Sequence, residues 1–237
     1  MDDQSDTTST NLNSRLPSVR ANTGAEEQAI RHEVIVWINR ERGSNCRVIH
    51  ELTFGERRID LAFIYPSDII GVEIKGPRDN LGDGRMVKQM REYSFYIPEV
   101  WLAVDAKWWE HADVQSYSYV GNTLVWGDGM LLPRNYTPKK PIRDEMCCSR
   151  LLDLLWNEEV RNVANRARLY QGYGRINSKQ AGQLKNSMAR LLTGHEILSN
   201  VCCELRARPS HMVGLGSSPP IARPAQAPLA RPAPSFL

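Results

Sequence analysis

The chain has 237 residues, of which 41% are hydrophobic and 24% are charged, and its formal net charge is +3. This is enough for one full-sized core with appendages, so we expect one main domain. No apolar run approaches the roughly 18 to 20 residues that a bilayer span needs, and the acidic, polar N-terminus is unlike a signal peptide. We therefore expect a cytoplasmic protein with no membrane partner.

The charge is unevenly distributed along the chain. Residues 1 to 133 hold 14 Lys/Arg and 20 Asp/Glu, a balance of −6, whereas residues 134 to 237 hold 16 and 7, a balance of +9. Because this asymmetry is larger than the net charge, it predicts that the second half meets a polyanion.

Two terminal segments have the composition of disordered tails. Residues 1–24 are rich in Ser, Thr, Asn and Asp, and residues 207–237 are dominated by Pro, Ala and Ser. Neither segment can bury enough apolar surface to offset the entropy of ordering. The folded part is expected to divide into a domain over 25–140 and a helical module over 141–206.

Hydrophobic periodicity and turn residues define the predicted elements of the first domain. A helix ends at Gly43, and three strands follow as a meander. A second helix, a fourth strand and a hairpin with Gly-Asn and Gly-Asp turns complete the domain. In chain order, the segments are AEEQAIRHEVIVWINRERG, RVIHELTF, RRIDLAFIY, IIGVEIK, MVKQMREYSFYI, EVWLAVD and YSYVGNTLVWGDGMLL.

Beyond Pro141 the sequence carries only helical patterns. We therefore predict an α/β fold, with an αβββαβ core around a mixed sheet and a C-terminal all-helical subdomain. The helical segments are MCCSRLLDLLWNEEVRNVANRARLY, SKQAGQLKNSMARLL and HEILSNVCCELRAR.

Two predicted neighbouring strands carry charged residues with a possible chemical role. Strand periodicity places Asp60 on the face opposite Ile59 and Leu61, and it places Glu73 and Lys75 together on one face of the next strand. If the strands pair, two carboxylates and an ammonium group converge. Carboxylates bind Mg²⁺, which activates water and neutralises phosphoryl charge, and a lysine can stabilise the charge that develops on the phosphate.

This pattern resembles the PD-(D/E)XK nuclease superfamily, which has the restriction-endonuclease-like fold, and within it small bacterial and phage members. The resemblance rests on Asp60, on Glu73-Ile74-Lys75, on Gln89 and Tyr93 of the following helix, and on the order αβββαβ over about 27 to 132. It implies cleavage of phosphodiester bonds that depends on Mg²⁺ or Mn²⁺.

The resemblance also assigns roles to individual residues. Asp60 and Glu73 correspond to the metal ligands, Lys75 to the catalytic lysine, and Gln89 to the glutamine at the edge of the site. Glu51 lies where some members carry a further acidic residue and is a candidate metal or supporting group. Ile59 replaces the proline of the superfamily name, at a position that varies widely.

A run of positive charge lies in the predicted helical module. Between residues 161 and 190 the chain has seven Lys/Arg and no Asp or Glu, which suits contacts with phosphates. This segment weakly resembles a SAP-like DNA-binding element, and the alternative is a solvated basic face. The predicted nucleic-acid-binding residues are Arg161, Arg166, Arg168, Arg175, Lys179, Lys185 and Arg190.

The sequence thus predicts a metal-dependent nuclease that acts on DNA. The alternative is a protein that keeps the nuclease fold but only binds DNA or another partner. Such a protein has no need for two carboxylates that repel each other without a metal. A homodimer is a further expectation, because symmetric dimers are common among nucleases of this kind.

Overall fold

The computed structural model describes residues 24–82, 84–134, 148–210, 214 and 216–223. The first part of the chain comprises α1 (Ala25–Arg42), β1 (Arg47–Phe54), β2 (Arg57–Ile64), β3 (Ile69–Lys75), α2 (Arg85–Ser94), β4 (Glu99–Asp105), α3 (Ala112–Val120), β5 (Asn122–Gly127) and β6 (Met130–Arg134). The helices that follow are α4 (Cys148–Leu151), α5 (Asn157–Arg166), α6 (Ser178–Leu191) and α7 (Gly194–Ala207). The predicted N-terminal tail lies outside the described residues, apart from Gly24.

The described strands form one six-stranded sheet in the order β1 to β6. The first three strands are an antiparallel meander, as predicted. β4 is parallel to β3, β5 is parallel to β4, and β6 pairs antiparallel with β5. Parallel neighbours need a crossover, and α2 and α3 provide the two crossovers. The predicted α/β fold with a mixed sheet is therefore confirmed.

Helix α1 covers one face of the sheet. Its residues Val34 and Trp37 pack in one buried cluster with Val72 of β3 and Trp101 of β4. Because a layer covers each face, the central strands are apolar on both sides, which explains why their sequences read as nearly continuous hydrophobic runs.

The C-terminal helices cover the other face together with α2 and α3. Met90 of α2, Val114 of α3, Val160 of α5 and Val201 of α7 belong to one contiguous buried cluster with the strands. Burial of each such side chain contributes about 1.5–3 kcal/mol. The predicted C-terminal helices are present, and they share the core of the sheet.

One predicted turn is wrong. The Gly-Asn pair was expected to turn a hairpin, but Gly121 ends helix α3 and Asn122 begins β5. The physical reason is that β5 pairs parallel with β4, so the chain must cross over between the two strands. The residues before Gly121 form the crossover helix α3 and not a hairpin strand. The second predicted turn does join β5 to β6, through Asp128 and Gly129.

Part of the predicted C-terminal tail is ordered against β1. Ser218 donates its N–H to the carbonyl of Val48 at 2.9 Å, and the hydroxyl of Ser217 accepts from the N–H of His50 at 2.9 Å. These hydrogen bonds use backbone groups on the open edge of β1. The composition of the tail alone does not reveal them. The prediction of a tail disordered from residue 207 onward is therefore wrong for these residues.

A fully buried arginine joins the same segment to the C-terminal end of α7. Arg47 donates hydrogen bonds to the carbonyls of Leu205, Arg206, Arg208 and Ser218. A cation at a helix C-terminus is favoured by the helix dipole and satisfies carbonyls that lack helical partners. Arg47 thus fixes the C-terminal helices on the first strand.

Candidate active site

The end of β3 presents a buried carboxylate and an ammonium group on one face. Val72 and Ile74 pack in the cluster under α1, and Glu73 and Lys75 point to the opposite side, as strand periodicity predicts. The Nζ atom of Lys75 donates to Oε1 of Glu73 at 2.7 Å, and the two side chains are only 16% and 5% exposed. The pair therefore lies in a largely desolvated environment.

Asp60 lies in a fork where β2 separates from β3. Backbone pairing between these strands extends from Ile64↔Ile69 to Leu61↔Val72 and stops there. The carboxylate of Asp60 accepts the N–H of Ile74 at 2.8 Å through Oδ2. The Asp60 side chain thus gives the N–H of Ile74 a hydrogen-bond partner where the strand pairing has ended. It also brings a second carboxylate to the end of β3.

The predicted alternation around Asp60 is wrong on one side. Leu61 packs under α1, but Ile59 packs in the opposite cluster. β1 is distorted opposite this point, with Glu51 in the left-handed region at φ 56°, and the register of β1 with β2 is the same on both sides of it. Gly71 makes room for the displaced Ile59, since a Cβ there would lie 2.5 Å from Ile59 Cδ1.

Helix α2 supplies the residues that hold Glu73 from the other side. Nε2 of Gln89 donates to Oε1 of Glu73 at 2.9 Å and to the hydroxyl of Tyr93 at 2.5 Å. Tyr93 in turn donates to the carbonyl of Arg58 at 2.6 Å. Gln89 and Tyr93 are one helical turn apart, so the helix aligns both with the end of β3.

The second carboxylate oxygen of Glu73 has no hydrogen-bond partner among the described residues. Oε2 is buried, whereas Oε1 receives both Lys75 and Gln89. Burial, and secondarily the charge of Asp60, raises the pKa of Glu73 to about 7. Burial disfavours the ammonium of Lys75, but the charges of Glu73 and Asp60 outweigh it and raise the pKa of Lys75.

A cation on α1, which the sequence does not single out, neutralises Asp60. Nη2 of Arg31 lies 3.0 Å from Oδ1 of Asp60 and 2.9 Å from Oε1 of Glu27, and Nη1 donates to the Asp60 carbonyl at 3.1 Å. Arg31 is 5% exposed although it is charged. The available signal was the Glu27–Arg31 spacing of four residues beside the apolar stripe of the helix.

The donor set fits a hard divalent cation. Asp60 and Glu73 offer carboxylate oxygens on one patch, and Glu73 Oε2 is buried without a partner. Among the described residues, no group of three or more His, Cys, Asp or Glu side chains is placed to hold a metal ion. Asp60 and Glu73 would therefore hold a divalent ion only together with further ligands, such as the waters that Mg²⁺ commonly keeps.

The structure engages Glu51 elsewhere. Oε2 of Glu51 accepts from Nη1 of Arg58 at 3.2 Å, and within the described part of the chain no hydrogen bond or ion pair joins Glu51 to Glu73 or Lys75. Its place as a metal ligand remains a prediction from the sequence alone.

Several of the predicted nucleic-acid-binding residues have structural partners. Arg166 forms an ion pair with Glu204, whose side chain is 0% exposed. Arg161 donates to the carbonyls of Tyr173 and Gly174.

The other members of this set are either paired with an acidic residue or exposed. Lys185 pairs with Asp153 at 2.9 Å, and Arg175 lies 3.9 Å from Glu158 but is 94% exposed. Arg168, Lys179 and Arg190 are exposed. The run from 161 to 190 contains no acidic residue, so the acidic partners of its cations come from other segments of the chain.

A cleft of about 710 Å³ lies away from these residues, between the β1–β2 turn and α5. Its lining includes Trp156, Glu159 and Arg208, and Arg208 is paired with Glu159 at 2.6 Å. None of Asp60, Glu73, Lys75 or Gln89 lines it.

The fold and the site define an α/β protein with a buried carboxylate–lysine pair where parallel strands end. The family model of bacteriophage P4 protein cII matches residues 20–198, and the chain belongs to this family. The phage association expected from the sequence is therefore confirmed. Among the described helices, none combines the length and the apolar composition that crossing a membrane requires.

Two solved structures resemble the chain weakly. The SPO1766 protein of unknown function from Silicibacter pomeroyi is 15% identical with a TM-score of 0.40, covering 63% of this chain and 97% of that one. SfsA of Pyrococcus furiosus in complex with Ca²⁺ is 16% identical with a TM-score of 0.26, covering 46% and 59%. Scores this low carry no argument about function. No curated protein sequence matches the chain.

Proposed function

We propose that the protein is a nuclease of the PD-(D/E)XK type that hydrolyses DNA phosphodiester bonds with Mg²⁺ or Mn²⁺. The observation that carries the proposal is the cluster at the end of β3. There Glu73 and Lys75 are in contact, Asp60 binds the intervening backbone N–H, and one buried carboxylate oxygen has no described partner. The order αβββαβ with this cluster at the strand ends supports the same proposal.

Asp60 and Glu73 are the residues that would hold the metal ion. When bound, such an ion lowers the pKa of a coordinated water and neutralises negative charge on the scissile phosphate. Gln89 and Lys75 both bind Oε1 of Glu73, which leaves Oε2 available as a ligand. The backbone N–H of Ile74 holds Oδ2 of Asp60, and Arg31 holds Oδ1.

Lys75 is the group we assign to charge stabilisation during phosphodiester cleavage. Its side chain is 16% exposed, so its charge acts in a less polar medium than water. The raised pKa keeps it protonated at neutral pH. A fixed cation in such a place stabilises the negative charge that develops on the phosphoryl oxygens, and removal of one such group typically costs about 10²–10³-fold in rate.

DNA is the proposed partner, and the exposed cations of the C-terminal helices are proposed contacts. Arg175, Lys179 and Arg190 are the members of the predicted set that lie at the surface with the fewest described partners. The division into a nuclease domain over 25–140 and a SAP-like module over 141–206 remains part of the proposal. No described contact tests the predicted homodimer.

The experiment is a DNA cleavage assay with Mg²⁺, Mn²⁺ or EDTA, on supercoiled, linear and single-stranded DNA. Wild type is expected to cleave only with a metal, and Asp60→Asn and Glu73→Gln are expected to be inactive while remaining folded. Glu41→Gln is the matched control, because Glu41 lies on the surface of α1 and pairs with Arg40. Equal activity of all four proteins would overturn the site assignment.

One observation favours a second candidate, a binding protein without catalytic turnover. Arg31 already neutralises Asp60, and Lys75 already neutralises Glu73, so the two carboxylates have counter-charges without a metal. DNA binding that weakens with salt, without cleavage under either metal, would select this candidate.

A further inference from the structure

Helix α2 presents a row of cations to solvent on the side away from its buried residues. Met86, Met90 and Tyr93 form the buried side of the helix. Arg85, Lys88 and Arg91 are exposed at intervals of three residues, and we call this set the α2 basic face. Residues three apart are neighbours on a helix surface, so the three charges form one continuous strip.

The α2 basic face lies on the helix that supports the candidate active site, and its first residue, Arg85, is on the side of Gln89. Gln89, which donates to Glu73 at 2.9 Å, belongs to the same helix. Arg85 is one turn before Gln89 and lies only about 40° from it around the helix axis, at about 100° per residue. The helix that holds Glu73 through Gln89 therefore also carries the α2 basic face.

These charges lack the partners that occupy other cations of the protein. Among the described residues, no carboxylate forms an ion pair with Arg85, Lys88 or Arg91. The acidic residue that shares the helix surface, Glu92, is paired with Arg57 of β2 at 2.5 Å. Within the described residues, the strip is therefore a concentration of positive charge without ion-pair partners.

The α2 basic face differs in its ion pairing from the basic run at residues 161–190 in the C-terminal helices. In that run, Arg166 and Lys185 form ion pairs with Glu204 and Asp153. Exposed cations without acidic partners suit phosphate contacts, because each contact releases a counterion from the nucleic acid. The α2 basic face is the better placed surface, because it adjoins the residues proposed to act on the phosphate.

We propose that the α2 basic face binds the phosphate backbone of DNA and directs the strand towards Glu73 and Lys75. The inference rests on the proposed function and adds to it the surface that positions the substrate. It is a positioning role: the three cations bind phosphates next to the scissile bond and do not take part in its cleavage.

The test is DNA binding in EDTA, where metal-dependent cleavage cannot interfere, measured by the fluorescence anisotropy of a short labelled duplex over a series of salt concentrations. The variants are Arg85→Gln, Lys88→Gln and Arg91→Gln, singly and combined. Arg40→Gln is the matched control, since this exposed arginine on α1 is held by Glu41 at 3.1 Å. Circular dichroism checks that each variant is folded.

Each variant of the face is expected to reduce the slope of log affinity against log salt by about 0.9, which corresponds to about fivefold weaker binding near 0.15 M salt. The triple variant is expected to bind on the order of 10²-fold more weakly, and Arg40→Gln to bind within about twofold of wild type.

Wild-type affinity and slope in the triple variant would overturn the inference and leave the nuclease proposal to the cleavage assay. Absence of binding by the wild type would also overturn it. Loss of binding in the triple variant of a protein that never cleaves DNA would support the surface and reject the nuclease proposal.

Discussion

The ion pair between Arg166 and Glu204 yields a prediction that separates a structural from a DNA-binding role. Arg166 Nη1 donates to Oε1 of Glu204, and Nε donates to Asn200 at 3.1 Å. Oε2 of Glu204 accepts from Asn162 at 3.2 Å and from Arg223 at 2.8 Å. The carboxylate is 0% exposed, so it depends on these donors for its charge.

We predict that Arg166→Ala lowers the free energy of unfolding by about 2–3 kcal/mol. Removal of one partner from a buried ion pair typically costs about 3–5 kcal/mol, because the other charge is left uncompensated. The expected loss lies below this range because Arg223 remains as a counter-charge, although its side chain is 47% exposed. Urea unfolding followed by far-UV circular dichroism measures the difference.

Two further variants complete this experiment. Arg190→Ala removes an exposed cation of the same predicted set and is expected to change stability by less than about 0.5 kcal/mol. Arg166→Met combined with Glu204→Met is expected to recover most of the loss, because apolar pairs of similar size often replace buried ion pairs at little cost. An Arg166→Ala protein with wild-type stability and weakened DNA binding would refute the structural role.

Three other variants test separate contacts of the fold. Arg47→Met is expected to lower unfolding free energy by about 3 kcal/mol in urea, because four backbone carbonyls lose a buried charged donor; a loss below about 0.5 kcal/mol would contradict this. Gly71→Ala is expected to cost about 1–3 kcal/mol by thermal unfolding, because its Cβ would meet Ile59, and adding Ile59→Ala should recover part of the loss. Glu196→Ala is expected to cost about 1 kcal/mol at pH 7 by removing the cap at the start of α7. The backbone N–H of Thr193 lowers the pKa of Glu196, so this stabilisation is present above the unfolded pKa and is lost as pH falls through the folded one; a gap between the two proteins that persists at acid pH would contradict it.

The sequence predicts the arrangement of β3 well because strand periodicity is a local property. Glu73 and Lys75 alternate with Val72 and Ile74, and the structure keeps this alternation. The order of helices and strands around them is also local, since turn residues and apolar spacing mark each boundary. Gln89 lies on the following helix and contacts Glu73.

The surroundings of Asp60 could not be predicted in this way. Its position depends on a local distortion of the paired strands β1 and β2, at which Glu51 has a left-handed backbone while the register on either side is unchanged. Such distortions arise from pairing between strands and leave little trace in one strand's sequence. The contact with Arg31 comes from α1, 29 residues earlier in the chain, and it also depends on the tertiary packing.

The role of the basic residues shows a second limit of sequence reasoning. The run from 161 to 190 has no acidic residue of its own, yet Glu204 and Asp153 neutralise two of its members across the fold. Helix α2, by contrast, contains the acidic Glu92 in its sequence, but its cations share one exposed face. Whether a charge is available depends on contacts that are distant in sequence.

The most direct test of the central claim is the single-turnover rate of DNA cleavage by Lys75→Met at saturating Mg²⁺, compared with wild type. We predict that the variant remains folded and loses about 10²–10³-fold in rate, because a buried cation next to Glu73 no longer stabilises the phosphate. Cleavage at the wild-type rate would contradict the assignment of this cluster as the active site.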